Sequence, residues 1–202
     1  AGEQALVCDS FAEVQALPGV DVAHCHSDAR LHACRQLLTL LKRQCEQARE
    51  HGLDYAAQHG PMHGMLLGIR TLLGELRVPQ LVAHDPTLRA DWCAFATDTL
   101  ATIADTVLGV ALEPLMQIAD GNGAGEGHAS DDEDGDGVLF EGDPLRLVST
   151  MCWLSVKEAA RCMSSLLELA PLDDPVERML SPAQVRVIGA SQIRIMLLCQ
   201  HK

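Results

Sequence analysis

The chain has 202 residues, enough to bury one good core or to form several stacked helical repeats. Hydrophobic residues make up 48% of it but aromatics only 3%, so Leu, Ala, Met and Val carry the apolar content, which favours helices over strands. A formal net charge of −13 disfavours phosphate binding, which needs clustered Lys and Arg, and no apolar run approaches the ~18 residues that span a bilayer.

In chain order, Ser10-Phe-Ala-Glu13 is the first capping box, in which Ser and Glu satisfy each other's orphan backbone donors. A longer helix begins near Ser27-Asp28 and sets Leu31, Cys34, Leu37, Leu38, Leu41, Cys45 and Ala48 on one face; His51-Gly52 ends it. The next helix holds Met62, Leu66, Ile69, Leu73 and Leu76 and closes at Val78-Pro79. Within it Gly60, Gly64 and Gly68 fall four apart, which predicts a close approach by a neighbouring helix. Asp85-Pro86 reads as an N-cap followed by a first-turn proline. It opens the longest segment, where Trp92, Phe95, Thr99, Ile103, Val107 and Ala111 recur with helical period.

From Asp120 to Asp143 the composition shifts to Gly, Asp and Glu, the signature of a disordered, solvated loop. Asp143-Pro144 starts a helix with Val148, Cys152, Val156, Ala159, Met163, Leu166 and Ala170. Periodicity also lines up Trp153, Val156, Ala160, Met163 and Leu167, giving a core Trp with Glu158 and Arg161 paired across one turn. Asp174-Pro-Val-Glu177 and Ser181-Pro-Ala-Gln184 are two further capping boxes; the second opens a helix with Val185, Ile188, Ile195, Met196 and Cys199.

No segment shows sustained strand-type alternation. Six or so helices joined by short turns give an all-α fold, an α-solenoid of degenerate HEAT or armadillo-like repeats, with a closed bundle as the competing architecture. The expected organisation is helical repeats over 1–119, the acidic loop over 120–143, and helical repeats over 144–202. The start lacks Met and the end stops within a helical pattern, so a slice of a longer chain is expected.

The eight cysteines, Cys8, Cys25, Cys34, Cys45, Cys93, Cys152, Cys162 and Cys199, form no Cys-x-x-Cys pair. Reduced, buried thiols in a cytoplasmic protein are the expectation. Three patterns invite metal or phosphate chemistry. Asp132, Asp134, Asp136 and Asp143 fit the spacing of an EF-hand calcium loop, but no helix precedes them and the last ligand is Asp rather than Glu. His24, Cys25, His26, His32 and Cys34 are metal-binding types, but adjacent residues rarely converge on one tetrahedron. The Gly60–Gly68 run lacks the Lys-Ser/Thr of a phosphate loop. No nucleophile elbow, zinc-protease helix or dinucleotide fingerprint occurs, so neither catalytic residues, cofactor nor resident metal is expected.

The string Cys152-Trp153-Leu154-Ser155-Val156-Lys157-Glu158 resembles the Cys-Trp-Arg-Ser-x-Lys-Glu signature of the THADA / Trm732 family, in its DUF2428 region. Ser27-Asp-Ala-Arg30 and His63-Gly64-Met-Leu-Leu-Gly-Ile-Arg70 are similar to segments on the amino-terminal side of that signature, and Ser181–Lys202 to the helix after it. The family's Arg is Leu154 here, and the acidic insertion looks lineage-specific. The resemblance implies a non-catalytic scaffold that partners an FtsJ-type methyltransferase for 2′-O-ribose methylation of tRNA at nucleotide 32 of the anticodon loop. S-adenosylmethionine then belongs to the partner, no membrane is involved, and tRNA is met by other parts of the parent chain, where a family Arg-Arg-Ser-Ala-Gly-Leu-Pro-like tract lies. Cys152, Trp153, Ser155, Lys157 and Glu158 become the marked residues, as helix-locking groups or as a contact surface. A general protein-interaction scaffold without tRNA is the alternative.

Overall fold

The computed structural model describes residues 22–74, 85–119, 144–169 and 179–199. Every regular element among them is helical: α1 (Val22–His51), α2 (Leu53–His59), α3 (Met62–Gly74), α4 (Pro86–Ala101), a π-helical stretch (Thr102–Val107), α5 (Leu108–Ala119), α6 (Pro144–Leu169) and α7 (Pro182–Cys199). The boxes at residues 10–13 and 174–177 and the acidic segment lie outside the described residues.

Local chemistry sets the ends of these helices. Asp85 caps α4 by accepting from the N–H groups of Thr87 (2.8 Å) and Leu88 (3.1 Å), with Pro86 in the first turn, where a missing N–H costs nothing. At α7 the capping box forms reciprocally: Ser181 N–H donates to Gln184 Oε1 at 2.7 Å, and Gln184 N–H to Ser181 Oγ at 3.3 Å. Gly52, at φ 92° and ψ 165°, breaks α1 from α2 in a conformation that essentially only glycine adopts. Helix α1 begins at Val22, earlier than the Ser27-Asp28 start expected from capping, because a preceding turn can extend a helix without a cap of its own.

The segment after Pro86 differs from a plain α-helix. Thr99 and Thr102 return their hydroxyls to the carbonyls of Phe95 (2.8 Å) and Asp98 (2.7 Å), a back-bond that loosens the local ladder. The β-branched residues Thr102, Ile103, Thr106 and Val107 follow, and Leu108 N–H reaches Ile103 O, five residues back. The six expected core positions from Trp92 to Ala111 are all buried nonetheless. Contrary to the sequence expectation, the rod Pro86–Gln117 does contain a window apolar and long enough to cross a membrane, with half of that window buried in the helical packing.

Two layers result. Helices α1, α4–α5 and α7 form one; α3 and α6 form the other. Successive helices in opposite layers run antiparallel. Along α1 and α3, Cys45 Sγ meets Met62 Sδ at 3.3 Å, and Leu37 lies against Gly68. Neighbours within a layer run parallel. Arg35 pairs with Asp91 at 2.8 Å and Lys42 with Asp98 at 2.6 Å, both 56 positions apart, which fixes α1 and α4 in register. In the other layer Arg70 meets Glu158, and Leu73 shares a cavity lining with Leu166 and Leu169. An up-and-down four-helix bundle makes every adjacent pair antiparallel, so this arrangement is a different one. Helix α7 continues it by touching both layers: Gln184 Nε2 donates to Thr97 Oγ1 (2.7 Å), and Gln192 Nε2 to the carbonyl of Ala160 (2.8 Å).

The core lies between the layers. Leu31, Leu41, Met62, Leu66, Ile69, Leu73, Ile103, Leu112 and Met163 are fully buried, as their periodicity requires. Two apolar expectations need correction. Met196 is 61% exposed, because Ile188, Ser191 and Ile195 carry the buried stripe of α7. Of the three glycines, Gly68 does face a close neighbour, with an added Cβ only 3.0 Å from Leu37 Cδ1, and Gly60 abuts Gln44; Gly64 faces open space.

Candidate functional site

The marked string lies on α6, and the helix twist splits it into two groups. Cys152, Ser155 and Glu158 turn inward with Val156, Ala159, Cys162 and Met163. Ser155 donates to the carbonyl of Met151 at 2.7 Å, which satisfies its buried hydroxyl inside its own helix. Trp153 and Lys157 turn the other way. Trp153 is 38% exposed, which corrects the expectation of a core Trp: its direction is about 100° from Cys152, off the stripe that α3 and α5 cover. Leu154, standing where the resembling signature has Arg, is half-buried.

Among the described residues Glu158 is the one charged side chain that is buried. Its carboxylate accepts from Arg70 Nε on α3 at 2.9 Å through Oε2, and from Arg161 Nη1 at 3.2 Å through Oε1. The Glu158–Arg161 pair is the expected one-turn contact. Arg70 is the partner that periodicity could not supply, since it comes from the other helix of the layer, 88 positions away. Lys157 does not pair with Glu158; among the described residues no hydrogen bond or ion pair holds it. Two strings that were separate in sequence, His63–Arg70 and Cys152–Glu158, therefore meet through one carboxylate.

The described thiols are free, with Cys34, Cys45, Cys152 and Cys162 buried and Cys93 half-buried. Burial pushes Cys34 and Cys162 from 9.0 up to about 12, and Cys45 and Cys152 up to about 11. These are raised acids, so their stabilising effect is fully present below pH 9 and is lost as pH rises through the 9–12 window, where only the unfolded chain ionises. Each thiol then lowers stability by roughly 1 kcal/mol per pH unit within that window. Urea midpoints measured from pH 7 to 11 will fall steeply above pH 9, and Cys34→Ala/Cys162→Ala will flatten that fall.

The candidate metal patterns are not assembled among the described residues. His32 is exposed while Cys34 is fully buried, as two positions apart on one helix demands. Nothing is described of the side chains of His24, Cys25 and His26, and Asp132, Asp134, Asp136 and Asp143 lie outside the described residues. No three His, Cys, Asp or Glu side chains converge among those described. Two open grooves, of about 300 and 400 Å³, run between α1 and α4–α5. Arg35 and Asp98 line the first, each already in an ion pair. Arg49 and Glu113 stand on the rim of the second, beside the helix-interior Pro114. What the surroundings of the marked string offer is a locked helix pair and an outward aromatic–cationic edge.

No family model, curated protein or solved structure matches the chain. The assignment of a role therefore rests on the residues themselves.

Proposed function

We propose that this chain is part of an α-solenoid of HEAT or armadillo-like repeats, a non-catalytic cytoplasmic scaffold that partners an FtsJ-type methyltransferase for 2′-O-ribose methylation of tRNA at nucleotide 32. The repeat reading is supported by parallel neighbours within each layer and antiparallel helices between layers, the stacking rule of two-layer helical repeats. The observation that carries the rest is the Arg70–Glu158 contact at 2.9 Å. It joins two of the strings that resemble the THADA / Trm732 family, so the likeness falls on one three-dimensional unit and not on scattered fragments. Glu158 holds the unit together, while Trp153 and Lys157 remain on its outside as contact groups. The methyl donor and the chemistry belong to the partner.

Affinity purification of the protein from its native cells tests the partnership. A methyltransferase of this type is expected to co-purify in near-stoichiometric amount and to survive nuclease treatment. Recovery of other proteins with no methyltransferase would favour a general scaffold instead.

A further inference from the structure

We propose that the outer face of α6 is a contact surface for single-stranded RNA, with Trp153 as a stacking platform between phosphate-binding cations. Arg146, Thr150, Trp153, Lys157 and Arg161 follow at spacings of three to four and so form one stripe, about 22 Å long. Arg146, Trp153 and Arg161 are exposed and Lys157 is half-exposed. The acids of α6 do not oppose them: Glu158 is buried and already neutralised by Arg70 and Arg161, leaving Glu168 at the far end. The neighbouring helix of the layer, α3, contains no acid at all and adds Arg70 and the exposed Leu67.

The net charge of −13 hides this face. Nine of the 28 acidic residues fall between 120 and 143, where there is no Lys or Arg, so the rest of the chain is far closer to neutral. A local cationic stripe can then attract phosphates despite the overall sign. An acidic protein helix could also pair with Arg146, Lys157 and Arg161, and aromatic anchors serve protein interfaces too, but its charge alone does not call for an indole between the cations. An unpaired base does: stacking is worth ~1–3 kcal/mol per base and is tolerant of sequence. Bases splayed from a loop are accessible to such a platform, whereas those of a duplex are not.

The inference deepens the proposed function, on which it rests, by naming where RNA would be met on this part of the chain, beside the contacts expected from other parts. The test uses the full chain and a fluorescein-labelled anticodon stem-loop RNA. Of the two tryptophans, Trp92 is 1% exposed, so stacking can quench only Trp153. Expected are an anisotropy rise, quenching of indole emission that Trp153→Phe abolishes, and at least tenfold weaker binding for Arg146→Glu/Lys157→Glu. That double variant is also expected to lower the slope of log affinity against log salt by about 1.4. A blunt-ended duplex of equal length should bind at least tenfold more weakly. Absent binding at low salt, or binding that neither variant alters, overturns the surface. If the double variant instead loses the methyltransferase and no RNA binds, the stripe is a protein dock and the proposal is wrong. Because co-purification is read separately, RNA binding can fail while the scaffold reading stands.

Discussion

Replacing Arg70 by Ala is expected to cost about 2–3 kcal/mol of folding stability, while Arg161→Ala costs less than about 0.5 kcal/mol. Both arginines hold the same carboxylate, but not equally. Glu158 has a side chain only 9% exposed and Arg70 one 31% exposed, whereas Arg161 is 53% exposed. Removing Arg70 leaves a desolvated carboxylate held by one water-screened partner, and an uncompensated buried charge is the expensive outcome. Removing Arg161 deletes a contact at i,i+3 of the kind worth a few tenths of a kcal/mol. Arg70→Met combined with Glu158→Leu should recover most of the loss, since it replaces the pair by apolar groups of similar shape. Urea unfolding of the four proteins provides the check. Equal losses for the two single arginine variants would show that Arg70 is no more desolvated than Arg161.

Trp92→Ala should cost about 3–5 kcal/mol, and Trp153→Ala less than about 1. Trp92 is 1% exposed, stands edge-on to Phe95 with ring centroids 5.7 Å apart, and lines the cavity where Leu73, Leu166 and Leu180 meet. Truncation there empties a junction between the two layers and the segment that leads into α7, where Met179 and Leu180 line the same cavity, and such a junction collapses poorly around a void. Among the described residues the indole N–H of Trp92 is buried without a partner, so Trp92→Phe should cost no more than about 1 kcal/mol: the lost contact area is offset by relief of an unsatisfied donor. Thermal melts followed by circular dichroism give all three values. A Phe variant as unstable as the Ala variant would mean that the indole nitrogen holds the junction together.

Much of the helical content was legible because local signals agree there. Asp85-Pro86 and Ser181–Gln184 are caps whose chemistry is complete within four residues, and both form as read. The buried faces of α1 and α3 followed from period alone. Periodicity failed where two phases fit equally well. In α6 the stripes through Cys152 and through Trp153 differ by one residue, and only the positions of α3 and α5 decide between them. It failed again at Thr102–Val107, where hydroxyl back-bonding is a competition that no hydropathy pattern records. The Arg70–Glu158 contact was illegible for a different reason, since it depends on which helices become layer neighbours. A signal was nonetheless present: Arg70 and Glu158 are charged residues set among core positions of their helices, and such charges need partners. Looking for each one's complement would have found the pair.

The most direct test of the scaffold claim is the extent of 2′-O-methylation at nucleotide 32 of tRNA from cells lacking the protein. Methylation should fall to background and return with the wild-type protein, while in vitro the protein alone, given S-adenosylmethionine and tRNA, should transfer no methyl group. Unchanged methylation at nucleotide 32 in the deleted cells would contradict the account.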